Sequence, residues 1–131
     1  PACGVQDPYR TTVVDELELH DRVSVAEGRA EKLARLPGMR ARYDVVVARG
    51  FGPPALAVEC ALGFMKAGAT LLISEPPVRR RWQSLLFPGL ELSFSAAFEG
   101  LAALTLVGDA GSSPYPRNIK AMRRAPLFEL E

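Results

Sequence analysis

The segment Tyr43 to Ala48 contains an unbroken Val45-Val46-Val47 run, and that run constrains the fold more than any other feature of the chain. Successive apolar residues on a strand point to opposite faces, so the run predicts a strand buried on both sides, as in a parallel sheet covered by helices. On either side of it, short apolar runs alternate with stretches of helical spacing. Thr11 to Leu19 reads as the end of a helix with Val13, Val14 and Leu17 on one side, and Arg22 to Ala26 reads as a short strand through Val23 and Val25. After a turn at Gly28, Ala30, Leu33 and Ala34 recur at helical spacing until Pro37-Gly38 stops them. Proline is tolerated in a first helical turn, so Pro53-Pro54 predicts a helix start. Leu56, Ala57, Cys60, Ala61 and Phe64 form its apolar stripe, and Gly68 marks its expected end.

Ala69 to Ser74 predicts a second buried strand, stopped by Pro76-Pro77, and Trp82, Leu85 and Leu86 predict a helix ending near Pro88-Gly89. Leu90, Leu92 and Phe94 alternate with polar residues, whereas Ala102 to Val107 is apolar but for Thr105. The short connection around Gly100 joins these two as an antiparallel pair. The last 24 residues, from Gly108, read as loop and basic tail. This alternation places the chain in the α/β class. A length of 131 residues fits one domain, and 48% hydrophobic against 24% charged residues supplies enough apolar surface for a core.

Composition also narrows the chemistry. No apolar run approaches the roughly 20 residues of a membrane-spanning helix. Pro1 to Arg10 lacks the profile of a secretory signal, so the expectation is a cytoplasmic chain with no membrane partner. Cys3 and Cys60 are the only cysteines and His20 the only histidine, which argues against a disulfide framework, a zinc site or a histidine-based triad. The net charge of +1 conceals an asymmetry: Asp15, Glu16, Glu18 and Asp21 come early, whereas Arg79 to Arg81, Arg117, Lys120, Arg123 and Arg124 come late. A solvated surface is the plain reading of such runs. Trp82 beside the arginine triplet suits base stacking, but its place in an apolar stripe suits core packing better.

Five residue strings in order carry more than topology. They are Gly28-Arg29-Ala30-Glu31, then Tyr43-Asp44-Val45-Val46-Val47-Ala48-Arg49, then Ala67-Gly68, then Ser74-Glu75-Pro76-Pro77, and last Tyr115-Pro116-Arg117 with Pro126-Leu127-Phe128. Together, from about Leu17 to Phe128, they resemble the glucose-inhibited division protein B family, the small-subunit 16S rRNA guanine-N7 methyltransferases. The middle section looks especially like the actinobacterial members. The resemblance implies a partial Rossmann-like class I methyltransferase fold with S-adenosyl-L-methionine as cofactor and 16S rRNA or the small ribosomal subunit as partner. It places Ala30 and Glu31 along the adenine of the cofactor and Arg49 near its methionine end, and it puts Arg117 and Arg124 against the RNA. Ligands of open α/β sheets bind beyond the carboxyl ends of the strands, which suits Arg49. The plainer alternatives are a helix-start preference for Glu31 and a surface position for Arg49. In the tail, Lys120, Met122 and Arg124-Ala125 stand where the family usually has a glycine, a proline and a lysine-arginine pair.

Nothing in Pro1 to Arg10 resembles the glycine-rich turn after the first strand of that fold, since Cys3-Gly4 is a single glycine. Asp7 before Pro8-Tyr9 reads as an ordinary turn as readily as a ribose contact. The expected fold therefore lacks its N-terminal strand, turn and helix. That leaves Arg22 to Ala26 without its neighbour and exposes an edge of the Tyr43 to Ala48 strand, through which a homo-oligomer could form. Two functions compete on this reading. One is methyl transfer to guanine N7, which needs no general base because N7 has a free lone pair. The other is a non-catalytic methyltransferase-like module that acts by protein association.

Overall fold

A computed structural model of the chain describes residues 8–49, 53–74, 86–87, 90–98, 101–108, 111 and 113–127. In chain order the elements are α1 (Pro8–Glu16), α2 (Ala30–Leu33), β1 (Tyr43–Ala48), α3 (Pro54–Leu62), β2 (Met65–Ser74), β3 (Leu86–Phe87), β4 (Leu90–Phe98), β5 (Leu101–Val107) and α4 (Ile119–Arg124). The strands form one mixed sheet in the order β1-β2-β5-β4-β3, an α/β arrangement as the alternation predicts. β1 and β2 are parallel, and β5 runs antiparallel to both β2 and β4. β4 and β5 form the expected hairpin, closed by the pairing of Phe98 with Leu101. Among the described residues no helix is long and apolar enough to cross a membrane.

α3 organises the core. From Ala55 to Leu62 every residue is buried, because the helix lies between the sheet and a second helical layer. Ala57, Val58, Ala61 and Leu62 meet Leu71 and Ile73 of β2 and Leu104 and Leu106 of β5. Leu56 and Cys60, turned the other way, meet Ala30 and Met122. A helix apolar on every side but for one charged residue, here Glu59, is buried all round. The single stripe read from the sequence was therefore too narrow.

Several expectations change. Arg22 to Ala26 is not a strand: the amides of Arg22 and Val23 donate to Leu19 in a local turn, and Val23 and Val25 are exposed. An extended segment with no ladder partner has nothing to hold it as a strand. β1 forms as expected but is buried on one face only, with Val45 53% and Val47 68% exposed while Val46 and Ala48 pack on the core. It stands at the end of the sheet, and among the described residues no strand pairs with its outer edge. α3 ends at Gly63 rather than Gly68, and Met65 already pairs with Tyr43. The register then slips before Val45 meets Thr70, and Gly68, at φ +80°, lies in the irregular stretch, a conformation that side chains resist.

The helix predicted around Trp82 lies mostly outside the described residues, as do Asp7 and Arg79 to Arg81. Its expected last turn is corrected, since Leu86 and Phe87 form β3 and pair with β4. Beyond Gly108 the chain is more than loop and tail: Tyr115, Pro116 and Met122 are buried, and α4 packs beside α3.

Gly63 permits that closure. A Cβ there would come within 2.6 Å of both Ala34 Cβ and Pro116 Cδ, neither of which is the end of a flexible side chain. The Gly63→Ala substitution is expected to lower stability by about 1–3 kcal/mol through overpacking. Chemical denaturation of the two proteins measures it, and an unchanged midpoint would contradict the close approach.

Candidate functional site

The Gly28-Arg29-Ala30-Glu31 string builds one wall of the site. Gly28, at φ +148°, redirects the chain, and a Cβ there would crowd the Leu33 side chain at 3.2 Å. Arg29 follows in an extended conformation, and Ala30 and Glu31 open the single turn of α2. Ala30 is buried against α3 and α4. Glu31 is only 4% exposed, and Arg29 Nε donates to its Oε1 at 2.6 Å. Its other oxygen, Oε2, is buried without a hydrogen-bond partner among the described residues. Leaving a buried polar atom unsatisfied costs on the order of 1–3 kcal/mol.

The opposite wall comes from the Tyr115-Pro116-Arg117 string. Arg117 Nε donates to Glu59 Oε1 at 2.6 Å, and Arg117 Nη2 donates to the carbonyl of Ala125 at 2.8 Å. Glu59 sits in α3 and is 1% exposed, so Arg117 supplies the counter-charge that a buried carboxylate requires. Asn118 caps α4, its Oδ1 accepting from the amide of Ala121 at 2.9 Å. Two arginines from the turns after α2 hold this segment in place. Arg35 Nη2 donates to the carbonyls of Pro114 and Pro116. Arg40 donates to the carbonyls of Gly111, Ser113 and Tyr115 at 3.1, 2.7 and 2.9 Å.

Between the walls lies an open cleft of about 600 Å³. Arg29, Glu31, Lys32 and Arg35 line one side, and Arg117, Asn118 and Ile119 the other. Two sequence-derived candidates, Glu31 and Arg117, thus face the same cleft. Arg49 and Arg124 do not line it: Arg49 is exposed directly after β1, and Arg124 is exposed in the last turn of α4. Arg29, Lys32, Arg35 and Asn118 were not singled out from the sequence as site residues. Gly28-Arg29-Ala30-Glu31 drew attention to the neighbourhood, but nothing local signals that Arg35 meets Pro114, 79 residues away. Among the described residues, no group of histidine, cysteine and carboxylate side chains is placed to hold a metal ion.

The ion pair has a measurable signature. Arg117→Ala strands the Glu59 carboxylate and is expected to destabilise the fold by about 3 kcal/mol, whereas adding Glu59→Met recovers most of the loss. Thermal unfolding of the single and double variants provides the comparison. Equal stability of Arg117→Ala and the parent would show that the pair contributes nothing.

No protein-family model matches the chain. Curated proteins do. The ribosomal RNA small subunit methyltransferase G of Dictyoglomus thermophilum is 39% identical over 61 residues, which cover 47% of this chain and 25% of that protein. The ribosomal RNA small subunit methyltransferase G of Caldanaerobacter subterraneus subsp. tengcongensis is 28% identical over 126 residues, covering 87% of this chain and 52% of that protein. The chain thus spans about half the length of the second relative, and its match to the first covers a quarter of that protein. Along most of its length it resembles ribosomal RNA small subunit methyltransferase G, in agreement with the family resemblance carried by its residue strings.

Proposed function

We propose that the chain is part of an S-adenosylmethionine-dependent methyltransferase that acts on guanine N7 of 16S rRNA in the small ribosomal subunit. The observation that carries this reading is the similarity to ribosomal RNA small subunit methyltransferase G over 126 aligned residues. The fold agrees with it: a parallel pair, β1 and β2, is followed by the antiparallel hairpin β4–β5, as in the second half of a doubly wound methyltransferase sheet.

The residues present fit the cofactor on one structural point. Arg49 is exposed at the carboxyl end of a parallel strand, where open α/β sheets take their ligands. On this reading Arg49 holds the carboxylate at the methionine end, and the main chain of Ala30 and Glu31 runs along the adenine. When bound, the cofactor supplies an electrophilic methyl group. The protein's own task is alignment, because N7 of guanine attacks through a lone pair that carries no proton. Holding two reactants in line is a large catalytic effect by itself, so a site without a general base is chemically sufficient. On this reading Arg124, exposed with Arg123 on the last turn of α4, contacts RNA phosphates.

Calorimetric titration with S-adenosylhomocysteine tests the cofactor half of this reading. Micromolar binding is expected, weakened about tenfold or more by Arg49→Ala, since a hydrogen bond to a charged group is lost. A chain that gives no heat at millimolar ligand would instead be a non-catalytic relative.

A further inference from the structure

α4 is six residues long, too short to persist by itself in water, so its direction is set by what it packs on. Ile119 and Met122 settle against Ala30, Leu56 and Cys60. Lys120, Arg123 and Arg124 recur at i, i+3 and i+4 and are exposed, which gathers their charges on another side of the helix. Arg117 reaches both ends of this element. It precedes Asn118, the N-cap, and its Nη2 donates to the carbonyl of Ala125, the C-cap. The closing carbonyls of a helix have no partner within it, so this bond satisfies an acceptor that would otherwise need water. Nε of the same guanidinium donates to Glu59 Oε1 in α3. One planar, multi-donor group therefore ties the two ends of α4 to α3, a geometry that suits arginine and not lysine.

The same geometry makes Arg117 a poor phosphate ligand, because its charge is compensated by Glu59 and its Nε and Nη2 are engaged by Glu59 and Ala125. We propose that Arg117, anchored by Glu59, is a positioning residue that aims the Lys120, Arg123 and Arg124 side of α4 at the RNA and does not itself touch it. The assignment deepens the RNA-methyltransferase reading and rests on it. It replaces the direct RNA contact that the family resemblance implies for Arg117, and it brings in Glu59, which lies outside every residue string that carries the resemblance. Glu59 is 1% exposed and out of reach of a bound strand, so whatever it does for RNA passes through Arg117. Binding then needs α4 docked, and the apparent affinity scales with the docked fraction. The two roles open to an arginine differ in a measurable way. A lost phosphate contact changes the salt dependence of binding, whereas a lost anchor lowers affinity alike at every salt concentration.

The test is fluorescence anisotropy of the chain with a labelled single-stranded oligoribonucleotide over a range of salt, together with amide hydrogen exchange of residues 119–125. The variants are Glu59→Met, the double variant Arg117→Ala with Glu59→Met, which folds without an unpaired buried charge, and Arg124→Ala. Release of the anchor by either of the first two is expected to undock α4 for most of the time. Exchange of the Met122 and Ala125 amides then speeds up, and RNA binding weakens about tenfold with the slope of log K against log salt unchanged. Arg124→Ala leaves exchange as in the parent and reduces the slope by about 0.7. A slope reduced by about 0.7 in the double variant would show Arg117 to be a phosphate ligand and overturn the proposal. Parental affinity or parental exchange in the double variant would overturn it too, since the pair would then serve stability alone. In each of these cases the RNA reading stands, because the parent chain still binds the oligoribonucleotide. A parent chain that binds none removes the RNA reading and the proposal together.

Discussion

The structure depends on one buried charge. Glu59 sits inside α3, and α3 is the helix against which both the sheet and the second helical layer pack. A carboxylate at 1% exposure is costly to bury without a counter-charge, and Arg117 supplies it. The requirement reaches far along the chain, because it draws in a segment 58 residues away and fixes it beside the middle of the fold. Once Arg117 is committed, Asn118 follows at the start of α4 and Met122 descends onto α3.

The pair does not hold the segment alone. Arg35 and Arg40 direct their guanidinium groups at the carbonyls of Gly111, Ser113, Pro114, Tyr115 and Pro116, which lie outside the regular helices and strands. Planar, multi-donor guanidinium suits this task better than an ammonium would. Gly63 completes the arrangement by letting Ala34 and Pro116 approach the end of α3. The walls of the cleft are thus the by-product of a packing solution, with α2 and its flanking residues on one side and the clamped segment on the other. A site built on clamped segments keeps its side chains in place, which recognition of a small unit requires.

The sheet shows the other face of the same economy. β1 pairs with β2 and, among the described residues, with no other strand, and its outward residues Tyr43, Val45 and Val47 are exposed. The apolar Val45-Val46-Val47 run allows both faces to be covered, and the described residues cover one. Lys66 and Asp44 form an ion pair near that edge. Charge of this kind at a strand edge discourages indiscriminate pairing.

Much of the order was legible in the residues themselves. Pro53-Pro54 marked the start of α3, the alternation in Leu90 to Phe94 and the apolar Ala102 to Val107 marked the β4–β5 hairpin, and Gly28-Arg29-Ala30-Glu31 marked the turn into α2. These are local signals, set by backbone sterics and side-chain periodicity, and the chain carries them wherever it goes. What sequence could not supply was each element's surroundings. Arg22 to Ala26 has strand periodicity and is no strand, because a strand exists only with a neighbour. The residues after Gly108 looked like a tail because the buried Glu59 that captures Arg117 is remote in sequence. The cleft, likewise, is made of residues whose meeting depends on that capture. Sequence determined where elements begin and what family they resemble, through interactions a few residues long; the tertiary structure decided which are paired, buried or aimed at a common space, because desolvation and charge compensation act between residues far apart in the chain.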